Sequence, residues 1–393
     1  MFSERQDEVR HTNLDEDDVT TDLRVSQIGD YSVSNWGDQL YPSVTKDLFV
    51  SVGLRAETKY FAPLPGRTPE GDHVGTLRDV ARTPADLVLV GGGDLIRFDT
   101  RTVAFDHMAL PQEKRRGWPM RLRSALYARR HFLPGAGVWL PAEPWRADAP
   151  TVLMSVGSRS IPESPAALAA VRRLAAVWTR TDRGAENFRR AGVDQSRIVL
   201  APDAVFAHPA YRDAAATAES GRRLISDRLD IDEPLVIFHA ATFHGWPQQR
   251  VEAALRSIVK DAPVAVLPLG AYSGEDQVLA KAAASTGAHA LPGLRADEIT
   301  SVMAAAGVIF TTSMHAAIVA GSFGTPVLAP SVKKTNEAFA TCPLPPRIVA
   351  VSDEDIASAV SAHRGQRLEH DPTPNATAVQ NGFNRILQLS GAV

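Results

Sequence analysis

The stretch Val308-Ile309-Phe310-Thr311-Thr312-Ser313-Met314-His315-Ala316-Ala317-Ile318 combines two structural patterns within a few residues. Its first four residues form a short apolar run that is typical of a buried strand. Ser313 then has the residue type that commonly begins a helix, and an apolar helix-like segment follows it. The stretch therefore predicts a strand that leads directly into a helix, which is the repeating unit of an α/β fold.

The same alternation recurs throughout the chain. Short apolar runs predict strands at residues 23–28, 87–90, 152–156, 176–178, 198–201, 235–238, 264–267, 288–291, 308–311 and 326–328. Segments with helical periodicity separate them, at residues 38–52, 166–174, 184–191, 248–259, 276–285 and 296–306. Because parallel strands joined by helices form open sheets, the sequence predicts two successive α/β sheets.

A chain of 393 residues exceeds what one hydrophobic core usually serves, so two domains are expected. The predicted division is a disordered acidic tail at 1–20, an N-terminal Rossmann-like domain at 21–207, a connecting segment at 208–230, a C-terminal Rossmann-like domain at 231–370 and a crossing segment at 371–393. Its terminal helix, 376–389, is predicted to return to the first domain. Open α/β sheets bind ligands at the carboxyl ends of their strands, which places the expected site between the two halves.

Composition excludes several classes of protein. Apolar residues make up 44% and charged residues 22% of the chain, as in folded globular proteins. A net charge of -3 provides no overall positive field for nucleic acid. Cys342 is the only cysteine, which rules out an internal disulfide and favours a cytoplasmic location. No apolar run approaches the roughly 20 residues that a membrane-spanning helix requires.

Two loops at predicted strand ends of the first half carry candidate ligand-binding residues. Residues 29–38 form a polar loop in which Asn35 can bind hydroxyls and Asp38 can act as a base. An alternative is that Asp38 only caps its helix. Residues 91–94, Gly-Gly-Gly-Asp, end another strand, where glycine amides can approach an anion and Asp94 can face the cleft. The alternative here is a tight turn.

Three further positions are candidates for anion binding and proton transfer. Arg180 directly follows a predicted strand and can bind a carboxylate or phosphate, although arginines are also common on surfaces. His315 lies in the first turn behind Ser313, where the helix amides attract anions and an imidazole can carry protons. A buried structural histidine is the alternative. His239 follows the first strand of the second half, where it contacts substrate or packs in the loop; no metal site is predicted.

Residues 111–132 form a basic segment in an otherwise slightly acidic chain. Glu113 is its single acidic residue, and its basic residues are Lys114, Arg115, Arg116, Arg121, Arg123, Arg129 and Arg130. Aromatic and aliphatic residues are interleaved with them, so the segment can make peripheral contact with an anionic membrane at its inner face, or bind an anionic acceptor. A solvated charged helix is the commoner alternative.

Five short motifs, in the same order along residues 23–342, resemble those of the polysaccharide pyruvyl transferase family. They are Asn35-Trp36-Gly37-Asp38 for an N-x-G-D segment, residues 86–93 for a glycine-rich strand end, Arg180-Thr181 for an Arg-Asp segment, Pro202-Asp203-Ala204-Val205-Phe206 for P-D-x-x-F, and Thr312-Ser313-Met314-His315 with Gly324-Thr325-Pro326-Val327 for an S-R-L-H helix and a G-x-P-V strand. Together they are more specific than any one of them alone.

The resemblance implies two Rossmann-like domains arranged as in GT-B glycosyltransferases. It implies an enzyme that transfers the three-carbon unit of phosphoenolpyruvate, a co-substrate, to saccharide hydroxyls during cell-surface or exopolysaccharide assembly, with no cofactor. The resemblance leaves open whether the acceptor is lipid-linked or nucleotide-linked. The implied catalytic residues are His315, Asp38 and Asp94, and the implied substrate-binding residues are Arg180, Ser313, Met314, Lys333, His239, Asn35, Gly37, Gly92 and Gly93.

One departure from the family pattern concerns the donor. Ser313 occupies the place where the family has arginine in S-R-L-H, so one phosphoenolpyruvate ligand is absent unless Lys333, Lys334 or His239 compensates. Loss of a charged hydrogen-bond partner costs on the order of 1.5–3 kcal/mol. Two alternatives therefore stay open: a GT-B nucleotide-sugar glycosyltransferase, and a non-catalytic saccharide-binding homologue.

Overall fold

The computed structural model describes residues 22–31, 33, 35–93, 95–96, 99–108, 117–135, 137–158, 160–241, 245–270, 274–331 and 333–393. Within these residues the chain forms two sheets, one in each half. The predicted α/β fold with two Rossmann-like halves is confirmed. The predicted tail at residues 1–20 lies outside the described residues, as does Asp94.

The first sheet has eight described strands in the order β3-β4-β2-β1-β5-β6-β7-β8. Their bounds are β1 Asp22–Ile28, β2 Arg55–Ala62, β3 Gly66–Arg67, β4 His73–Thr76, β5 Leu87–Gly91, β6 Thr151–Val156, β7 Ala176–Thr179 and β8 Ile198–Leu200. All neighbours are parallel except the short edge pair β3 and β4. Without β3, the order has the 3-2-1-4-5-6 pattern of a Rossmann fold with one further strand.

The helices of the first half include a break that the sequence pattern did not predict. They are α1 Trp36–Gln39, α2 Tyr41–Ser51, α3 Thr100–His107, α4 Trp118–His131, α5 Pro165–Arg172 and α6 Asp182–Arg190. The single helix predicted at 38–52 is wrong, because α1 ends before a separate helix α2 begins. Pro42 lies in the first turn of α2 and has no amide hydrogen to continue a preceding helix.

The second sheet has six described strands, all parallel, in the order β11-β10-β9-β12-β13-β14. Their bounds are β9 Val236–His239, β10 Val264–Val266, β11 His289–Ala290, β12 Val308–Thr311, β13 Val327–Ala329 and β14 Ile348–Ala350. The helices are α8 Gln248–Ile258, α9 Glu275–Thr286, α10 Ala296–Ala305, α11 Met314–Ser322, α12 Lys333–Phe339 and α13 Ile356–His363. Numbered from β9, this order is again 3-2-1-4-5-6.

Two helices tie the halves together. Helix α7 (Ala214–Leu229) lies in the predicted connecting segment and packs on α10 of the second half, where Gly221 allows close approach to the backbone of Ser301. Helix α14 (Thr373–Ser390) crosses back onto the first sheet, as predicted. There the ring of Phe383 meets the edge of Phe49 at a centroid distance of 4.9 Å. No helix of the described ranges is long and apolar enough to span a bilayer.

Candidate active site

The strand order reverses once in each sheet, between β1 and β5 in the first and between β9 and β12 in the second. Ligands of open α/β sheets bind beyond the carboxyl ends of the strands at such reversals. Four of the predicted motifs lie at the ends of these four strands or directly after them: the loop at 29–38, the glycines at 91–93, His239, and the segment Thr311 to His315. The topology thus places these motifs at the two expected binding positions.

The loop after β1 joins the two halves directly. The backbone amide of Trp36 donates to the carbonyl oxygen of Leu269 at 2.9 Å, and its indole Nε1 donates to the carbonyl of Ala296 at 3.1 Å. Asn35 also forms a backbone bridge with Gly270. Because Trp36 is buried, these contacts hold the motif of the first domain against the cleft side of the second.

Four side chains from both domains converge beside this junction, and we call them the cleft quartet: His315, Arg180, Asp203 and Tyr41. Arg180 Nη1 lies 2.5 Å from Asp203 Oδ2, and the Tyr41 hydroxyl donates to Asp203 Oδ1 at 3.1 Å. His315 Nε2 lies 3.6 Å from Asp203 Oδ2, 3.4 Å from Arg180 Nη1 and 3.5 Å from the Tyr41 oxygen. The Asp203 carboxylate therefore lies next to a guanidinium, an imidazole and a phenol at the same time.

The four groups lie at the end of one strand and at the starts of three helices. Arg180 directly follows β7, and Asp203 precedes a short 3-10 helix at Ala204–Ala207. Tyr41 is the first residue of α2, and His315 lies in the first turn of α11. Three of these positions are at the carboxyl edge of the first sheet, whereas His315 comes from the second.

The electrostatics of the quartet keep Asp203 ionised. Burial alone would raise its pKa, but the charges of Arg180 and His315 outweigh burial and hold the pKa well below its usual range. Burial, reinforced by the charge of Asp203, raises the pKa of Tyr41 far above its ordinary value, so this phenol stays neutral and donates its proton in a hydrogen bond. Perturbed, interacting titratable groups of this kind are concentrated at functional sites.

A strained serine supports the loop that carries Asp203. Ser155 lies near the end of β6 with a φ of 53°, which is unusual for a residue other than glycine. Its hydroxyl accepts a hydrogen bond from the amide of Ala204 at 2.8 Å, next to the Asp203 carboxylate. Val205 donates its amide to Asp203 Oδ1 at 3.0 Å. The strain is thus found where the backbone must hold the central carboxylate of the quartet.

A second carboxylate lies in the same cleft. Asp38 is buried within α1, and its Oδ2 accepts a hydrogen bond from Asn35 Nδ2 at 2.6 Å. The alternative that Asp38 caps the helix is wrong, because Asn35 occupies the cap position. Gly93, with a φ of 77°, lies so close that a Cβ there would overlap the Asp38 carboxylate. Glycine at position 93 therefore allows the backbone to lie close to the Asp38 carboxylate.

Two other glycines of the predicted site lie against the quartet. A Cβ on Gly37 would overlap the His315 ring, and a Cβ on Gly92 would overlap the ring of Tyr41. Gly92 also has a φ of 98°, which other residues rarely adopt. These glycines let the first domain approach the side chains of the quartet without a gap.

His239 belongs to a separate and more deeply buried network. Its Nδ1 lies 3.0 Å from Thr311 Oγ1, and its Nε2 lies 3.1 Å from Glu275 Oε1. Glu275 Oε1 also accepts hydrogen bonds from the backbone amides of Leu269 at 2.8 Å and Gly270 at 3.2 Å. Although burial opposes it, the charge of His239 lowers the pKa of Glu275. The network orients the segment that contacts the loop after β1.

The remaining predicted residues occupy several positions. Ser313 caps α11, where its hydroxyl accepts the amide of Ala316 at 3.4 Å, and Met314 is buried beside it. Lys333 begins α12 after the neighbouring strand β13 and is exposed. Two members of the quartet were not predicted as site residues. Asp203 lies in the P-D-x-x-F motif, which could have identified it, whereas Tyr41 has only the sequence signature of a helix start.

Comparison with solved structures shows what the fold resembles. The UDP-GlcNAc 2-epimerase of Methanocaldococcus jannaschii, in complex with UDP-GlcNAc and UDP, matches with a TM-score of 0.54 at 12% identity, covering 94% of this chain and 99% of that chain. The UDP-GlcNAc 2-epimerase of Neisseria meningitidis, bound to UDP-GlcNAc, matches with a TM-score of 0.53 at 12% identity, covering 93% and 99%. Both likenesses support the GT-B arrangement of two Rossmann-like domains.

Comparison of sequences identifies the family. No curated protein matches this chain. The sequence profile described as Polysaccharide pyruvyl transferase matches residues 4–331. That range contains the cleft quartet, the Asn35 and Asp38 pair, and the strand reversals of both sheets. Because the profile spans most of its length, the chain belongs to the polysaccharide pyruvyl transferase family.

Proposed function

We propose that this chain transfers the three-carbon unit of phosphoenolpyruvate to two hydroxyls of a saccharide, in the cytoplasm, for cell-surface or exopolysaccharide assembly. The observation that carries the proposal is the cleft quartet, in which a histidine of one domain meets a buried arginine and carboxylate of the other. Such a group can move a proton and attract an anion in the same cleft. No cofactor is proposed besides phosphoenolpyruvate as co-substrate.

The reaction has a simple balance. C3 of the enol gains a proton, C2 forms bonds to two hydroxyl oxygens, and the bond from C2 to the phosphate oxygen breaks. The two hydroxyls lose two protons, of which one is balanced by the proton gained at C3 and the other leaves with phosphate. The enzyme therefore needs an acid near C3, a base near the hydroxyls, and cations that hold phosphate and carboxylate throughout.

His315 is the proposed acid. Its side chain is 11% exposed, whereas Asp203 is fully buried, so the imidazole is the part of this ion pair that a ligand can reach. His315 also lies in the first turn of α11, where free amides attract the phosphate or carboxylate of the donor, with Arg180 adding positive charge beside it.

Asp38 is the proposed base for the saccharide hydroxyls. Its carboxylate lies beyond the carboxyl end of β1 and is oriented by the amide of Asn35. The backbone of Gly93 lies close to Asp38 Oδ1. His315 lies against Gly37, the residue before Asp38, and its ring centroid is 6.0 Å from that of Tyr41.

Incubation with phosphoenolpyruvate and candidate acceptors in heavy water tests the proposal. We expect phosphate release that depends on the acceptor, with one deuterium in the methyl group of the product ketal, detected by mass spectrometry. His315→Gln should lower turnover by roughly 10²–10⁴-fold while phosphoenolpyruvate still raises the melting temperature. Unchanged turnover in this variant, or a ketal without deuterium, would contradict the role of His315.

Ser313 provides a test of the donor. Its hydroxyl caps α11 at the place where the family pattern has arginine. We expect Ser313→Arg to strengthen phosphoenolpyruvate binding by about tenfold or more, because a charged hydrogen bond is added. Ser313→Thr, which keeps the cap, is the matched control. Stabilisation by nucleotide sugars alone, with no response to phosphoenolpyruvate in either variant, would instead indicate a glycosyltransferase or a saccharide-binding homologue.

A further inference from the structure

Helix α4 exposes a stripe of large apolar side chains. Trp118, Leu122 and Leu126 are 73%, 44% and 58% exposed. They are spaced by four residues and so lie on one face of the helix. Ser124 lies on the opposite face and is buried. A contiguous apolar stripe of this kind on the outside of a protein commonly marks an interaction surface.

Exposed arginines accompany this stripe: Arg121, Arg123, Arg129 and Arg130. Helix α4 contains no acidic residue, and no carboxylate of the described part of the chain pairs with these four guanidinium groups. Some other exposed helical arginines are neutralised locally. On α6, Glu186 pairs with two arginines, and Glu219 does the same on α7. The outer face of α4 is therefore both apolar and positively charged.

The position of α4 relates it to the cleft. His107 Nε2 of α3 lies 3.0 Å from Asp30 Oδ1 in the loop after β1. The centroid of the His107 ring is 6.2 Å from that of Tyr127 of α4, and the two rings are tilted by 35°. Burial, together with the charge of Asp30, raises the pKa of Tyr127 to about 12. The inner face of α4 is thus connected to the loop that carries Asn35 and Asp38, while its outer face is exposed to solvent.

We propose that the outer face of α4 is a docking surface for an anionic lipid bilayer. Trp118, Leu122 and Leu126 would enter the boundary between head groups and acyl chains, and the long arginine side chains would reach the lipid phosphates. Each such cationic residue adds to the attraction of an anionic membrane. Pairing with a second copy of the chain is disfavoured, because a symmetric contact would oppose one set of four arginines with another.

This surface has a consequence that rests on the proposed function. The helix that meets the membrane is linked through His107 and Asp30 to the acceptor side of the cleft. Docking on α4 would therefore hold Asp38 close to the membrane surface. Among saccharide acceptors, this placement favours one that is linked to a membrane lipid.

Co-sedimentation with vesicles tests the surface without any substrate, so a failed transferase assay would leave its result intact. We expect the full-length protein to bind vesicles that contain phosphatidylglycerol and not vesicles of phosphatidylcholine alone. The triple variant Trp118→Ser, Leu122→Gln, Leu126→Gln should bind at least about tenfold more weakly. Each arginine replaced by glutamine should weaken binding by about fivefold. Leu200→Gln with Leu344→Gln, two exposed leucines elsewhere, is the matched control.

Tryptophan fluorescence gives a second, more local measurement. Of the six tryptophans, Trp118 is exposed and the other five are 3% exposed or less. Brominated lipids should therefore quench Trp118 selectively, and Trp118→Phe should abolish quenching while vesicle binding is retained. Absence of binding to anionic vesicles would overturn the proposal. So would equal binding by the triple variant, or a dimer in vesicle-free solution that the triple variant abolishes.

Discussion

Two histidine–carboxylate pairs of this protein differ in what surrounds them. His239 is 3.1 Å from Glu275 and 3.0 Å from the Thr311 hydroxyl, so both ring nitrogens have protein partners and the ring is almost fully buried. His315 is 3.6 Å from Asp203, is partly exposed, and belongs to a group drawn from both domains. His239 therefore holds a segment in place, whereas His315 remains accessible to a ligand.

The difference shows that a neighbouring carboxylate does not by itself identify a reactive histidine. Glu275 Oε1 accepts hydrogen bonds from two backbone amides and also contacts His239, so this carboxylate has a structural role. The Asp203 carboxylate instead contacts the guanidinium of Arg180, the phenol of Tyr41 and the imidazole of His315. Accessibility and the domain of origin of the partners separate the two pairs.

The largest expected contrast comes from replacing the two histidines in the same way. His315→Gln should reduce turnover by roughly 10²–10⁴-fold with little change in the free energy of unfolding, because the ring is partly exposed and acts as the acid. His239→Gln should cost about 1–3 kcal/mol of stability, since it breaks a buried network. Its turnover per folded molecule should fall by less than tenfold. Thermal unfolding measures the stability of both variants, and a phosphate-release assay measures their turnover. A large loss of turnover in His239→Gln together with a loss of stability in His315→Gln would exchange the roles of the two histidines.

Asp203 should be the most costly carboxylate to remove. Asp203→Asn removes the carboxylate that the buried guanidinium of Arg180 contacts at 2.5 Å, and we expect a loss of about 3–5 kcal/mol in denaturant unfolding. The double variant Arg180→Met, Asp203→Leu should be less destabilised than the sum of its single variants, because it leaves no unpaired charge. Additive losses would show that the pair is not coupled. Both single variants should also lower turnover.

Gly37 tests the position of the His315 ring. Gly37→Ala places a methyl group where the imidazole lies, so the ring must shift. We expect turnover to fall by about 10–100-fold, with the melting temperature lowered by only a few degrees, since misplacement of a catalytic group is costly. Gly66→Ala is the matched control, because the space around its Cβ is open. Full activity in Gly37→Ala would indicate that the ring position is unimportant.

The smallest effect concerns a third histidine outside the cleft. Burial lowers the pKa of His208 to about 4, and its Nδ1 accepts the amide of Ala210 at 3.2 Å. Below pH ~6.5 the unfolded chain binds a proton that the folded chain refuses, so stability should fall as the pH decreases towards 4. We expect a loss of about 1–2 kcal/mol, because the ring is only partly shielded.

His208→Asn provides the control for this pH dependence. Asparagine keeps an acceptor at the helix cap but does not titrate in this range. Its free energy of unfolding should therefore change less between pH 6.5 and pH 4 than that of the unmodified protein. An equal change in both proteins would show that His208 is not the source of the acid sensitivity.

Much of the architecture could be predicted from local pattern. The bounds of β12 agree with the apolar run at 308–311, and Ser313 caps α11 as its residue type suggested. β2 was not predicted, because its sequence is largely polar and its strand conformation depends on pairing with β1 over seven residue pairs. The break between α1 and α2 was missed although Pro42 indicated it.

The sequence by itself determined the α/β alternation, the two halves and the candidates His315, Asp38 and Arg180, because hydrophobic period and helix-start residues act over a few neighbouring positions. Only the tertiary structure decided that Tyr41 and Asp203 join His315, since their separations in the chain are 274 residues for Tyr41 and 112 for Asp203. It likewise decided that His239 is part of the scaffold. Burial and the partners of a side chain are long-range properties, and local sequence does not encode them.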